Sequence, residues 1–281
     1  MLEPMEQTKN NLFGLVGCLI LLTFGGAALL AEFLAPHSTS TSFPVFLPPS
    51  GTHVLGTNDM GYDIFSELLF ASRISLLVGL VAALISVFIG TGVGLLSGYY
   101  RGAIGDLMTG IIDIFLLIPF LPLMVILAAY LGPSIWNIIL VIGLLGWCST
   151  ARVVRAKVLQ LREMPFIEAA KAVGLSNRSI ILRHIFPNVT EVVAAKFVLS
   201  VAGAMLSEAS LSFLGLGDPA RISWGGMIHY AFKRGGFFNG MWYWYLPPGI
   251  CIALCTIGFV LLGLYLEAKN NQLPADQLFA D

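Results

Sequence analysis

Residues 74–98 read ISLLVGLVAALISVFIGTGVGLLSG, long enough to cross a bilayer and free of any charged side chain. At 1.5 Å per residue a helix needs about 20 such positions to traverse roughly 30 Å of hydrocarbon. Only helices and closed barrels satisfy their own backbone inside lipid. The apolar residues here run continuously instead of alternating, which selects the helix. Within the run Gly90, Gly94 and Gly98 recur every four residues, with Gly92 beside them, so one strip lacks side chains and another helix can approach it closely. The same letters do not make a dinucleotide or phosphate loop, because no strand precedes them.

The rest of the chain has the same character. Hydrophobic residues fill 57% of 281 positions, charged residues only 11%, and the mean hydropathy is +0.85. A soluble domain carries about 25% charge, so the bilayer is the solvent. Six spans are predicted, at roughly 12–33, 72–98, 107–131, 134–151, 190–214 and 246–267. The fold class is all-α, a multi-pass helical membrane protein. The first segment is longer than a signal-peptide core and reads as a retained anchor. Cys18, Cys148, Cys251 and Cys255 all fall in spans and read as small buried hydrophobes. A net charge of −1 with no basic tract gives no hint of nucleic-acid binding.

Basic residues set the orientation, because short loops rich in Lys and Arg stay in the cytoplasm. Arg152, Arg155, Lys157, Arg162, Lys171, Arg178 and Arg183 all lie between the fourth and fifth spans. That loop, 152–188, is therefore expected inside, with both termini, and segments 34–71 and 215–245 outside. Residues 1–71 form an anchor with its external segment, 72–267 the transmembrane domain, and 268–281 a cytoplasmic tail. The first outer segment opens with Pro36, Pro44, Pro48, Pro49 and a run of Ser and Thr, which favours an extended crossing. From Tyr62 to Ser75 the pattern predicts an amphipathic helix along the outer interface. Trp224, Tyr230, Trp242, Tyr243, Trp244 and Tyr245 in the second read as an aromatic belt at the headgroups.

Asp113 and Glu208 fall within spans, where a lipid-facing charge costs at least about 2.5 kcal/mol. Both are expected to face protein or water, either as a lining of a translocation pathway or as polar contacts between helices or subunits. Pro119 and Pro122 loosen the third span and mark a hinge or a kink. His37, His53, His184 and His229 lack ligand spacing, so no metal site is expected, and no arrangement of Ser, Cys or His suggests nucleophilic catalysis. No G-x-x-x-x-G-K-[ST] loop occurs, so no conventional ATPase site is expected in the chain.

The inner loop carries the most specific stretch, EAAKAVGLSNRSIILRHIFPN from Glu168 to Asn188. It reads as two short helices. Pro165 opens the first, Gly174 supplies the positive φ that ends it, Ser176 or Asn177 caps the second, and Pro187 marks the exit before the fifth span. A compact basic hairpin of this kind is a docking surface more than a connector.

This stretch resembles the EAA loop of permease subunits of ATP-binding-cassette importers, specifically the dipeptide/oligopeptide/nickel permease family. Three further stretches share the resemblance: Leu55 to Asp63 (LGTNDMGYD), Arg73 to Leu76 (RISL), and Glu208 to Gly217 (EASLSFLGLG) with Ser223-Trp224-Gly225. Tyr62 stands where the family commonly has arginine, and residues 263–269 lack its usual acidic and basic pattern. The resemblance implies the type I importer transmembrane fold and a place in the inner or plasma membrane. It implies a heterodimer with a sister permease, two separate ATPases that bind the ATP and magnesium, and an extracytoplasmic substrate-binding protein; no cofactor is expected in this chain. Glu168, Ala169, Ala170, Gly174, Arg178 and Pro187 would couple the pore to the ATPase. Peptides are the first cargo it implies, with nickel or another metal chelate, or an oligosaccharide, behind. The rival class is an ion-coupled carrier or channel using Asp113 and Glu208.

Overall fold

The structure is a computed structural model describing residues 3–39 and 41–271. Among these the regular structure is helical, apart from one isolated bridge between Thr57 and Asp63. In chain order the helices are α1 (Glu3–Leu29), α2 (Ala31–Leu34), α3 (Ile64–Tyr99), α4 (Ala103–Leu117), α5 (Phe120–Leu131), α6 (Ile135–Leu161), α7 (Pro165–Ala172), α8 (Asn177–Ile180), α9 (Phe186–Leu211), α10 (Trp224–Lys233) and α11 (Trp242–Asn271). Five runs are long and apolar enough to cross a membrane, and α4 with α5 makes a sixth if counted as one bent span. Of the expected tail, 268–271 continue α11 and the remainder lies outside the described residues.

The α3–α6 pair is the backbone of the bundle. A Cβ placed on Gly90 would stand 2.6 Å from the Thr150 Cβ and the Trp147 carbonyl oxygen. At Gly94 it would stand 2.7 Å from the Val154 Cβ, and at Gly98 2.7 Å from the Val158 Cβ. Backbone therefore lies against side-chain roots for two turns. Gly92, turned the other way, meets nothing within 4 Å. Elsewhere α1 packs on α11, with Gly17 against the Gly258 carbonyl, and α9 lies between α3 and α11.

Four expectations are corrected. No interfacial helix precedes the second span: α3 runs unbroken for 36 residues, about 54 Å, well beyond the hydrocarbon thickness. Its polar residues are satisfied by protein instead of headgroups. Asn58 Nδ2 donates to Glu67 (3.2 Å), and Arg73 donates to the Ala28 and Leu29 carbonyls and to Glu32. The third span is an elbow, not a rod. Pro119 offers no N–H and forces Ile118 into extended geometry, so α4 and α5 meet at 85°. The fourth helix continues ten residues past the expected end, carrying Arg152 and Arg155 in helical register. Finally, Trp224 and Trp244 are 1% exposed, packed inside the protein, so they form no headgroup belt; Trp242 stays exposed.

Pro187 also sits differently from expectation. It lies in the first turn of α9, inside a helical path that runs on from Asn177 through a π turn at Ile181–Ile185 and ends past Leu211, where Gly215 leaves helical geometry at φ +86°. The wide turn before it accommodates the missing donor, and Asn188 Nδ2 donates to the His184 carbonyl at 2.7 Å.

Candidate functional site

The inner hairpin is built by local rules. Pro165 occupies the first turn of α7. At its end the Leu175 N–H bonds to the Ala170 carbonyl (3.1 Å) and the Gly174 N–H to that of Lys171 (3.0 Å), with Gly174 at φ +84°. That pair of bonds is a Schellman stop, which needs a left-handed residue at Gly174. Ser176 Oγ then accepts the Ser179 N–H and caps α8.

Tertiary packing decides what the hairpin can do. Ile167, Ala170 and Ile180 are buried in a cluster with Leu95 and Tyr99 of α3, Val154 and Val158 of α6, and Val189 of α9. The Tyr99 hydroxyl donates to Asn177 Oδ1 (2.8 Å), and the Lys171 ammonium lies 5.8 Å from the Tyr99 ring. Arg162 Nη1 donates to the Gly98 carbonyl (2.8 Å). Beside it, hydrogen bonds from Arg101 and Arg162 hold the Glu163 carboxyl below its ordinary range. One side of the hairpin is thus joined to three membrane helices. The other is bare: Glu168, Ala169, Gly174, Arg178 and Pro187 are exposed, and Val173 is 82% exposed. Of the six residues expected to couple, only Ala170 faces inward. Val173 was missed from the sequence because an apolar residue in a helical run reads as core.

The outer end gathers the other shared motifs. Asp63 Oδ2 accepts the Ser66 N–H (2.9 Å) and starts α3. Asn58 Oδ1 receives the N–H groups of Met60 and Tyr62. Arg73 closes the C-terminal carbonyls of α1, where a cation also suits the helix dipole. Trp224 donates its indole N–H to the Leu68 carbonyl (3.0 Å) and its backbone N–H to Ser75 Oγ (3.1 Å). A cavity of about 430 Å³ opens here, lined by Asn58, Asp59, Glu67, Arg73 and Arg234 among others. The Arg234 side chain spans it, paired with Asp59 at 2.9 Å and lying 4.3 Å over the Tyr230 ring.

The two intramembrane acids are separated in role. Glu208 is 2% exposed and accepts from Ser212 Oγ (2.6 Å), and the Ser223 side chain also bonds to it. It therefore ties the end of α9 to Ser223, the residue that caps the start of α10. Asp113 lies at the surface of this chain, 3.0 Å from Arg152 Nη2. Neither lines a described cavity. A different surface does: Lys196, Ser200, Gly203 and Ser207 share one face of α9 and line a groove of about 360 Å³ under the α4–α5 elbow. Ser207 Oγ donates to the Gly203 carbonyl, which satisfies the hydroxyl within its own helix. Small residues four, seven and eleven positions after Lys196 were the sequence signal for this stripe.

The family described as binding-protein-dependent transport system inner membrane component matches residues 90–272, from the glycine seam through the hairpin to α11. This chain belongs to that family. Its fold is accordingly that of the type I importer permeases. Similar proteins extend the likeness outward from the matched region. A dipeptide transport system permease protein of Alkalihalophilus pseudofirmus is 37% identical over 93% of this permease and 86% of its own length. One from Bacillus subtilis is 34% identical over 93% and 82%. An oligopeptide transport system permease protein of Bacillus subtilis is 32% identical over 93% and 86%. These likenesses run over nearly the whole chain, beyond the 90–272 that the family model matches.

Proposed function

We propose that this permease forms half of the pore in an ATP-driven importer of dipeptides and oligopeptides. A sister permease forms the other half, two separate ATPases supply the power, and an extracytoplasmic binding protein delivers cargo to the outer end. The observation that carries the reading is the two-sided hairpin. Its buried side is continuous with α3, α6 and α9, while its exposed side offers Val173, Gly174 and Glu168 to a partner. An ATPase closing on that side turns the inner ends of three membrane helices together, which is the rigid-body motion alternating access requires. The α9 stripe from Lys196 to Ser207 lines the pathway, and the elbow of α4 and α5, with Leu117 and Tyr130 exposed, meets the sister subunit.

The peptide cargo follows the names of relatives that are 32–37% identical over 93% of the chain. The inner membrane follows the description of the family, and both termini in the cytoplasm follow the basic loop 152–188 with α4 and α5 taken together as one crossing. A carrier using Asp113 and Glu208 has less support, because each acid is already engaged by its own partner. Reconstitution tests the reading. Proteoliposomes containing both permeases, the ATPases and the binding protein should accumulate a labelled dipeptide only with ATP. Uptake by this chain alone, driven by an ion gradient, would overturn it.

A further inference from the structure

We propose that His37, His53 and Asp63 form a binding site for a divalent transition-metal ion of the zinc class on the outer face of the permease. The three side chains each offer a ligand atom, and these atoms lie within 4.8 Å of one another. His37 follows α2, His53 sits in the external crossing, and Asp63 is the residue that caps α3. Their separation along the chain is why no ligand spacing shows in the sequence. His53 and Asp63 are buried, and the imidazoles of His37 and His53 stand 4.8 Å apart with Phe43 edge-on to both.

The surrounding hydrogen bonds orient the donors as a metal needs them. His37 Nε2 lies 3.0 Å from the Thr52 carbonyl, which can only accept, so Nε2 keeps its proton and Nδ1 holds the lone pair. Asp63 Oδ2 is occupied by the Ser66 N–H and hydroxyl (2.9 and 2.8 Å), which leaves Oδ1 turned to His53 Nδ1 at 2.9 Å. Ser66 Oγ also accepts the backbone N–H of His37 at 3.1 Å, so one hydroxyl ties the main chain at His37 to the Asp63 carboxylate. Ligands braced by carbonyl and hydroxyl partners in this way are the usual surroundings of a metal site.

Binding is a simple exchange. The ion enters between His53 Nδ1 and Asp63 Oδ1; solvent takes the shared proton from Nδ1 and returns one to Nε2, so the imidazole stays neutral, and Nδ1 and Oδ1 each form a bond of about 2.0–2.2 Å to the metal. His37 supplies Nδ1 as the third ligand by a small shift that keeps its Nε2 bond to the Thr52 carbonyl, and water fills the remaining position. Two imidazole nitrogens with one carboxylate suit zinc, nickel, copper or cobalt; magnesium and calcium take all-oxygen sites. A bound ion would fasten the external crossing to the start of α3.

The test uses the full chain with its partner subunits in nanodiscs, purified through a tag without histidine and stripped with a chelator. Zn²⁺ is titrated against a chromophoric chelator, and Co²⁺ is added separately for its visible d–d absorption. One equivalent of Zn²⁺ and a Co²⁺ band are expected. Ser66→Ala should weaken Zn²⁺ affinity about tenfold by loosening the bracing, and His37→Gln or His53→Gln should weaken it further and abolish the band. His37→Gln alters a half-exposed ring, so it carries the test if His53→Gln does not fold. Wild-type protein taking up no more Zn²⁺ than the His37→Gln/His53→Gln double variant, or than His37→Gln alone, would overturn the proposal and leave a His53–Asp63 hydrogen bond only.

Discussion

Replacing Gly94 with alanine places a methyl carbon 2.7 Å from the Val154 Cβ, 2.8 Å from the Ala151 carbonyl oxygen and 2.9 Å from the Val154 Cγ1. Comfortable carbon contacts lie at about 3.5–4.0 Å, so α3 and α6 must separate by about 1 Å. Two of the three obstacles are a backbone oxygen and a side-chain root, and neither can rotate away. Overpacking of this kind costs about 1–3 kcal/mol, against which alanine regains up to about 1 kcal/mol of helix propensity over glycine. Gly92 is the internal control: it sits half a turn away on the same helix, with nothing within 4 Å. Gly92→Ala should therefore be neutral or slightly stabilising, while Gly94→Ala is destabilising by about 1–2 kcal/mol. Thermal unfolding of both variants in one detergent, followed by intrinsic fluorescence, should show shifts of opposite sign. Adding Val154→Ala to Gly94→Ala should rescue only part of the loss, because the Val154 Cβ and the Ala151 oxygen remain. If Gly94→Ala and Gly92→Ala unfold alike, the close seam between α3 and α6 is wrong.

Arg73→Ala removes two hydrogen bonds to the last carbonyls of α1 and one to Glu32 of α2; a loss of about 1–3 kcal/mol is expected, measured as faster hydrogen exchange around residues 26–34. At Gly174 the space is empty but φ is +84°. Gly174→Asn, which tolerates that conformation, should keep ATPase coupling if the glycine serves only the turn, while Gly174→Leu should abolish transport; equal, normal uptake by the leucine variant would contradict the coupling role. Pro119→Ala restores an N–H at the elbow, so spin labels on α4 and α5 should report a longer and broader distance than in the wild type; an unchanged distance would mean the 85° bend is held by packing alone.

Local rules were legible and long-range ones were not. The Schellman stop at Gly174 and the cap at Ser176 depend on neighbouring residues, so the letters themselves predict them. The membrane runs were equally plain, since bilayer thickness fixes their length. What misled the reading was polarity whose partner lies far along the chain. Arg73 looked like part of an interfacial face because nothing in the sequence says that α1 ends beside it, and Asp63 and Glu67 because nothing says that the external crossing folds back to bring His53 and Asn58 onto them. Trp224 and Trp244 looked like headgroup residues for the same reason, their partners being Leu68 and Ser75 in the one case and the outer core in the other. Pro119 announced a weak point in the third span, but not that α4 and α5 would meet there at 85°. The glycine strip was visible as a strip, while its partner, the Trp147 to Val158 face of α6, was not.

Copurification with the ATPases tests the central claim most directly. Val173 is 82% exposed and contributes nothing to the buried cluster beneath the hairpin, so Val173→Asp should leave the fold intact while placing a charge on the docking face. From membranes expressing all subunits, tagged wild-type chain should bring down the second permease and both ATPases. The variant should bring down the second permease and lose the ATPases. No ATPase with the wild type, or undiminished ATPase with Val173→Asp, would contradict an engine attached at this hairpin.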